Sequence, residues 1–214
     1  MRCHSAGKVL GGSAAICLAT VLALWPSAAA VAQQTLYWDG NNATAGAAIT
    51  PTCQCATSSF WSLNSASTVA TGSYVASSDV VFSAGTDATG NSTVTITSST
   101  QSANSVTFKD GGVTLAQSTG RLNLGADSLT VATTSGTLTT ISSPVTLTAS
   151  QSWTLSGSNR LLVAGSIALD NPLTLTGGTN FWFTGAHTGT GKVTIAGGAM
   201  LNSCGTLLPM RTTG

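Results

Sequence analysis

Few side chains in this sequence could carry chemistry, and the acidic ones come first. All six are aspartates: Asp39, Asp79, Asp87, Asp110, Asp127 and Asp170. Hydrolysis by general acid and base needs two carboxyls held about 5–9.5 Å apart. Here each Asp stands alone in its own stretch. Asp87 and Asp110 are spaced close to a repeat of about 25 residues, which would stack that pair. Asp110 and Asp127 are nearer in sequence than one such repeat. Otherwise an Asp beside Gly or Asn is a turn residue, because its carboxylate bonds the backbone close by. Asp39-Gly40-Asn41-Asn42 could offer oxygens to Ca²⁺, but a short loop without a bidentate Glu is a poor donor set.

Nucleophilic chemistry finds less. His187, in TGAHTGTG, has no G-x-S-x-G elbow to serve and reads as a loop histidine. Gly185–Gly191 lacks the rest of a phosphate-binding fingerprint. The Gly-Gly pairs at 111–112, 177–178 and 197–198 are not followed by the x-Gly-x-Asp of calcium-binding nonapeptides. Cys53, Cys55 and Cys204 are an odd, dispersed set, with the first two too close for an ordinary bridge and no histidine beside them for a metal. They read as local loop features. The expectation is a non-enzymatic chain with no catalytic residue, no metal site and no cofactor.

The elements that must position these groups are short strands. From Thr93 to Ala196 the chain is a ladder of thirteen pieces in which an apolar residue alternates with a small polar one. Val94/Ile96, Val106/Phe108, Leu129/Val131, Trp153/Leu155 and Phe181/Phe183 are examples; only Leu138…Ile141 breaks the spacing. Period two puts one set of side chains inside and the other outside. Gly, Ser, Thr, Asn or Pro separates nearly every piece from the next, and Pro144 and Pro172 each open one, where a missing N–H is tolerated. After position 33 no long window shows a helical period. From Val94 to Val193 the pieces recur about every 8 residues, so three make about 25, one turn of a three-sided solenoid, and thirteen make about four turns. The fold class is therefore all-β, a right-handed parallel β-solenoid (β-helix) with an N-terminal capping block. The alternative is an antiparallel β-sandwich, favoured locally by VTFKDGGVTL (Val106–Leu115), which looks like a hairpin. Most gaps lack the Asn-Gly or Asp-Gly pairs of tight hairpins, and this favours the solenoid.

Residues 1–32 read as a signal peptide. Arg2 and Lys8 precede an apolar run from Val9 to Trp25, Pro26 breaks it, and Ala30-Val31-Ala32 supplies a small-x-small cleavage pattern. Residues 33–92 form an irregular cap, 93–200 the repeats, and 201–214 a tail, disordered or cut short. Past residue 32 there remain five basic residues (Lys109, Arg121, Arg160, Lys192 and Arg211) against the six Asp, a formal charge of −1. No basic stripe exists for nucleic acid and no polybasic cluster for a membrane surface. The partner class expected is a cell-surface or carbohydrate ligand. Coplanar exposed tryptophans among Trp61, Trp153 and Trp182 would mark a β-sandwich binding module.

Trp38-Asp39-Gly40 just after the export signal, then Phe60-Trp61-Ser62, Asp79-Val80-Val81-Phe82 and the Ser/Thr/Gly ladder form a recognisable series. It resembles the start of bacterial surface proteins with autotransporter-associated β-strand repeats, and Gly189–Ile195 looks like the glycine-led beginning of one repeat. The resemblance implies a passenger-type β-helix, exported and then secreted or held at the cell surface or outer membrane, acting as a structural stalk or in adhesion. Its centre of Asn-Thr-Tyr-Thr-Gly type does not appear, and Leu201–Gly214 is not a set of barrel strands, so contact with the outer membrane would need a translocator outside this chain. Physically, Trp38, Phe60, Trp61 and Phe82 suit the cover of a solenoid's open end, since each large aromatic buries roughly 150–250 Å².

Overall fold

The computed structural model describes residues 33–48, 52–54, 59–97, 99–133, 136–204 and 211–212. The export signal expected over 1–32, and Cys55, lie outside the described residues. Those described form strands and turns with no helix. The strands are almost all parallel and stack as a β-solenoid of about six turns.

Three faces make each turn, and the alternating ladder supplies the reason. On the first face Val94, Leu115, Ile141, Val163, Phe183 and Ser203 occupy one register column. Leu122, Val145, Ile167 and His187 do so on the second. On the third the column runs Val80, Val106, Leu129, Trp153, Leu175, Ile195. These residues point inward, and apart from His187, Ser203 and the half-buried Ile195 they make up the buried core. One turn alone could not hide them, whereas stacked turns about 4.8 Å apart can. Strand Thr100–Phe108 spans two faces: its first half pairs with Arg121–Leu124 and its second with Leu129–Val131.

Each of the thirteen apolar pieces lies on a strand, but the pitch and the number of turns differ from expectation. The first-face column takes its longest step from Leu115 to Ile141 and its shortest from Val163 to Phe183 and from Phe183 to Ser203. Most steps are therefore shorter than the roughly 25 residues of an even three-sided repeat. Pairing also extends beyond 93–200: Thr52–Gln54 and Ser78–Phe82 join at one end, Leu201–Ser203 and Arg211–Thr212 at the other. VTFKDGGVTL is not a hairpin. Val106–Phe108 pairs on the third face and Gly112–Gln117 on the first, so Lys109–Gly111 turns a corner of the solenoid.

The corner from the first face to the second is constant. Three residues separate the strands at each of the five turns where both are described, as in Ala164–Ser166 between Val163 and Ile167. Close backbone contact explains why glycine recurs there. A Cβ on Gly165 would lie 2.5 Å from the carbonyl carbon of Ser143, and one on Gly185 2.5 Å from that of Gly165. The corner from the third face back to the first instead varies in length, from the short Lys109–Gly111 to the long Ser83–Gly90. One such corner is held by a buried network: Asn159 donates to the carbonyl of Thr133 (3.0 Å) and accepts from its hydroxyl (2.6 Å). Pro144 and Pro172 directly precede strands, and their carbonyls still accept ladder bonds from Leu122 and Gln151, each at 2.9 Å.

The N-terminal aromatics do more than cover an end. Thr35–Trp38 pairs in parallel with Ser78–Phe82, which pairs with Val106–Phe108. Phe82 and Phe108 stack at 5.4 Å, and Trp38 lies 5.9 Å from Phe82. Trp38 and Phe82 are thus rungs of the third face rather than a lid. The outermost edge is protected by strand Trp61–Ser62, which runs antiparallel to Thr35–Trp38 and occupies hydrogen-bonding groups that would otherwise invite another chain.

Candidate functional site

The structure places the six aspartates in different company from what their spacing suggested. Asp39 is fully buried, accepts from the amide of Asn41 (2.8 Å) and from the Ser67 hydroxyl, and is a loop tie. The Asn42 side-chain oxygen is likewise taken by Thr71 (3.0 Å), so this loop spends its oxygens on its own chain. Asp87 and Asp110, the pair whose gap suggested stacking, have separate partners. Asp87 accepts from the amides of Ala47 (2.7 Å) and Ala48 (3.2 Å), while Asp110 faces Lys109 at 3.6 Å. Asp170 is exposed on its turn.

Asp79 and Asp127 do come together, although they are far apart in the sequence. Asp79 opens the outward side of the third face, and Asp127 sits two turns along at the corner that leads into it. Asn104, on the turn between, donates its amide to both carboxylates, to Asp79 at 3.1 Å. The Ser105 hydroxyl adds a bond to Asp79 at 2.7 Å. They line an open groove of about 560 Å³ whose other walls are Ser105, Ser128, Ser150, Gln151 and Ser152 with Ala126. Such a groove can hydrogen-bond a polyhydroxylated chain. For hydrolysis it is less well built, since Asn104 stands between the carboxyls and no apolar wall encloses either of them.

His187 lies on a strand, not in a loop. Strand His187–Thr188 pairs with Ile167–Ala168, which puts the imidazole in the inward column below Ile167 and 5.7 Å from the ring of Phe183. Both ring nitrogens are covered and have no hydrogen-bond partner among the described residues. Burial pushes its pKa below the ordinary 6.5. A histidine held this way is an inward rung, and among the described residues no acid or nucleophile is hydrogen-bonded to it as catalysis would ask.

The tryptophans divide by alternation. Trp61 (2 % exposed) and Trp153 (0 %) are buried, and the Trp153 indole donates to Gln151 at 3.2 Å. Trp182 is 47 % exposed. It belongs to an outward column on the first face that reads Thr93, Thr114, Thr140, Leu162, Trp182, Asn202. Arg160 and Leu138 are register partners two residues along, on the same outward side, and Leu138 is 41 % exposed. This is the point where the ladder's spacing broke: period two, fixed by inward Ile141, sends Leu138 outside and buries Thr139. Together Leu138, Arg160, Leu162 and Trp182 line a shallow depression of about 200 Å³. Many other outward positions carry hydroxyls, as in the third-face run Thr107, Thr130, Thr154, Thr176, where the last two hydroxyls are 3.0 Å apart.

Cys204 is exposed and free, and Cys53 lies on the strand Thr52–Gln54. Among the described residues no three His, Cys, Asp or Glu side chains group as metal ligands. Comparison with protein-family models, curated proteins and solved structures finds no significant match for this chain.

Proposed function

We propose that this chain is an exported, non-enzymatic surface module, a stalk or adhesin-like solenoid of the kind its opening motifs resemble in autotransporter passengers. The observation that carries this reading is the continuous parallel register. From Val94 to Ser203 every rung of the first face meets the next. Such a stack is a stiff rod that depends only on its neighbours for stability. Its outer positions are mostly hydroxyls with few charges, which suits water and sugar surfaces and leaves nucleic acid without a basic footprint. Protease added to intact cells tests the assignment. Digestion of the chain while a periplasmic marker survives is the expected result; a chain cut only after lysis overturns it.

A second reading, a carbohydrate-active protein, is favoured by the Asp79–Asn104–Asp127 groove. Reducing-end release from a panel of polysaccharides decides it. Turnover that disappears in both Asp79→Asn and Asp127→Asn would make the chain an enzyme and displace the stalk reading.

A further inference from the structure

The outer side of the first face holds a local break in an otherwise hydroxyl-rich pattern. Three threonines lead the column, then Leu162 and Trp182 replace them on adjacent rungs, and Asn202 follows. Leu138 widens the apolar floor sideways, and Arg160 stands between Leu138 and Leu162 in the same outward set. An exposed indole with two leucines on a flat parallel sheet gains nothing for the core, and apolar surface of this kind marks contact sites. The Arg160 side chain is exposed and has no carboxylate partner among the described residues, where Lys109–Asp110 is the ion pair found.

We propose that Leu138, Arg160, Leu162 and Trp182 form a binding subsite for an acidic polysaccharide. The indole and leucine floor takes the flat C–H face of a sugar ring, and the Arg160 guanidinium takes the carboxylate of a uronic acid. Two rungs span about 4.8 Å, comparable with one sugar unit, so the floor matches a ring rather than a folded partner. Four side chains are far short of the roughly 800 Å² per partner of a standard protein interface. Guanidinium recognises a planar carboxylate through two parallel N–H donors, which an isolated surface arginine can offer without rearrangement. Thr140 and Asn202, at either end of the apolar pair, lie where ring hydroxyls would emerge. This deepens the surface-module reading by naming a ligand, but it rests on that reading only for where the ligand is met.

The test uses the purified chain, so it is independent of export. Binding to polygalacturonate is measured by affinity electrophoresis and calorimetry, with the fully methyl-esterified polymer as the uncharged match. Trp182→Ala and Arg160→Gln are each expected to weaken polygalacturonate binding about tenfold or more. Methyl esterification should weaken binding as Arg160→Gln does, and Thr154→Ala, on the third face, should leave it unchanged. All the substituted positions are at the surface, and circular dichroism checks that each variant folds. No binding to the charged polymer overturns the proposal. Binding that survives both substitutions, or equal affinity for the esterified polymer, does the same. Sedimentation that shows a dimer lost in Trp182→Ala would overturn it too, and assign the patch to a second copy of this chain instead.

Discussion

Replacing Gly165 by alanine should destabilise the solenoid for a reason visible in a single corner. The added methyl would stand 2.5 Å from the carbonyl carbon of Ser143 and 2.9 Å from the carbonyl oxygen of Ser142, with the Ser143 oxygen closer still. Non-bonded carbons prefer about 3.5–4.0 Å, so two turns must part by about 1 Å at this corner. The obstacle is backbone and cannot swing away. Parting the turns stretches the bonds from Ala164 (2.9 Å) and Gly165 (3.1 Å) to the Ile141 carbonyl past the useful limit of about 3.2 Å. Overpacking of this kind costs about 1–3 kcal/mol, offset in part by about 0.4–1 kcal/mol of reduced freedom in the unfolded chain. A net loss of about 1–2 kcal/mol lowers Tm by roughly 2–8 °C in a domain of this size. Gly157→Ala is the comparison. It has open space around it but a φ of +60°, so its cost is that of the left-handed conformation, about 1–2 kcal/mol, less the same unfolded-chain offset. Differential scanning calorimetry of both variants reads the two effects. A Gly165→Ala protein with unchanged Tm would refute the close-approach argument, whatever Gly157→Ala does.

Two further outcomes follow from the core. Trp153→Ala removes a fully buried indole from the third-face column and should cost about 3–5 kcal/mol in urea unfolding, with the slope of the transition unchanged. His187 has its folded pKa below 6.5 because of burial. The unfolded chain therefore binds its proton more readily, and its contribution to stability, full above about pH 6.5, is lost as pH falls from there through the lowered folded value. His187→Phe should remove that segment of the pH–stability curve, read by urea unfolding at a series of pH values.

Much of the fold was legible because the inward residues are few in kind and strictly alternate. Phe181 and Phe183 fix Trp182 outside just as Trp153 and Leu155 fix the other indole inside; both orientations are in the period itself. The strand His187–Thr188 was hidden because a histidine takes the place where Ile167 and Val145 announce earlier rungs. The first half of Thr100–Phe108 was hidden too, being polar but for Ala103. Asp79 and Asp127 could not be paired from spacing. Their meeting depends on two successive turns, and turns differ as much as Leu115-to-Ile141 differs from Phe183-to-Ser203. Over two of them the accumulated uncertainty exceeds the length of a whole strand. The break at Leu138 was visible in the sequence, but its meaning required the neighbouring rungs, since Arg160 and Trp182 reach it only through the stack.

The unequal corners bear on how such a chain can change over generations. Where three residues join the first face to the second at each described corner, a single inserted residue would flip every side chain of the following strand, hydroxyls inward and leucines outward. That edge is closed to innovation. The edge from the third face back to the first already accepts stretches as unlike as Lys109–Gly111 and Ser83–Gly90, and insertions there leave the register downstream untouched. New recognition loops can accumulate along this one margin, turn after turn, while the rest of the rod stays the same.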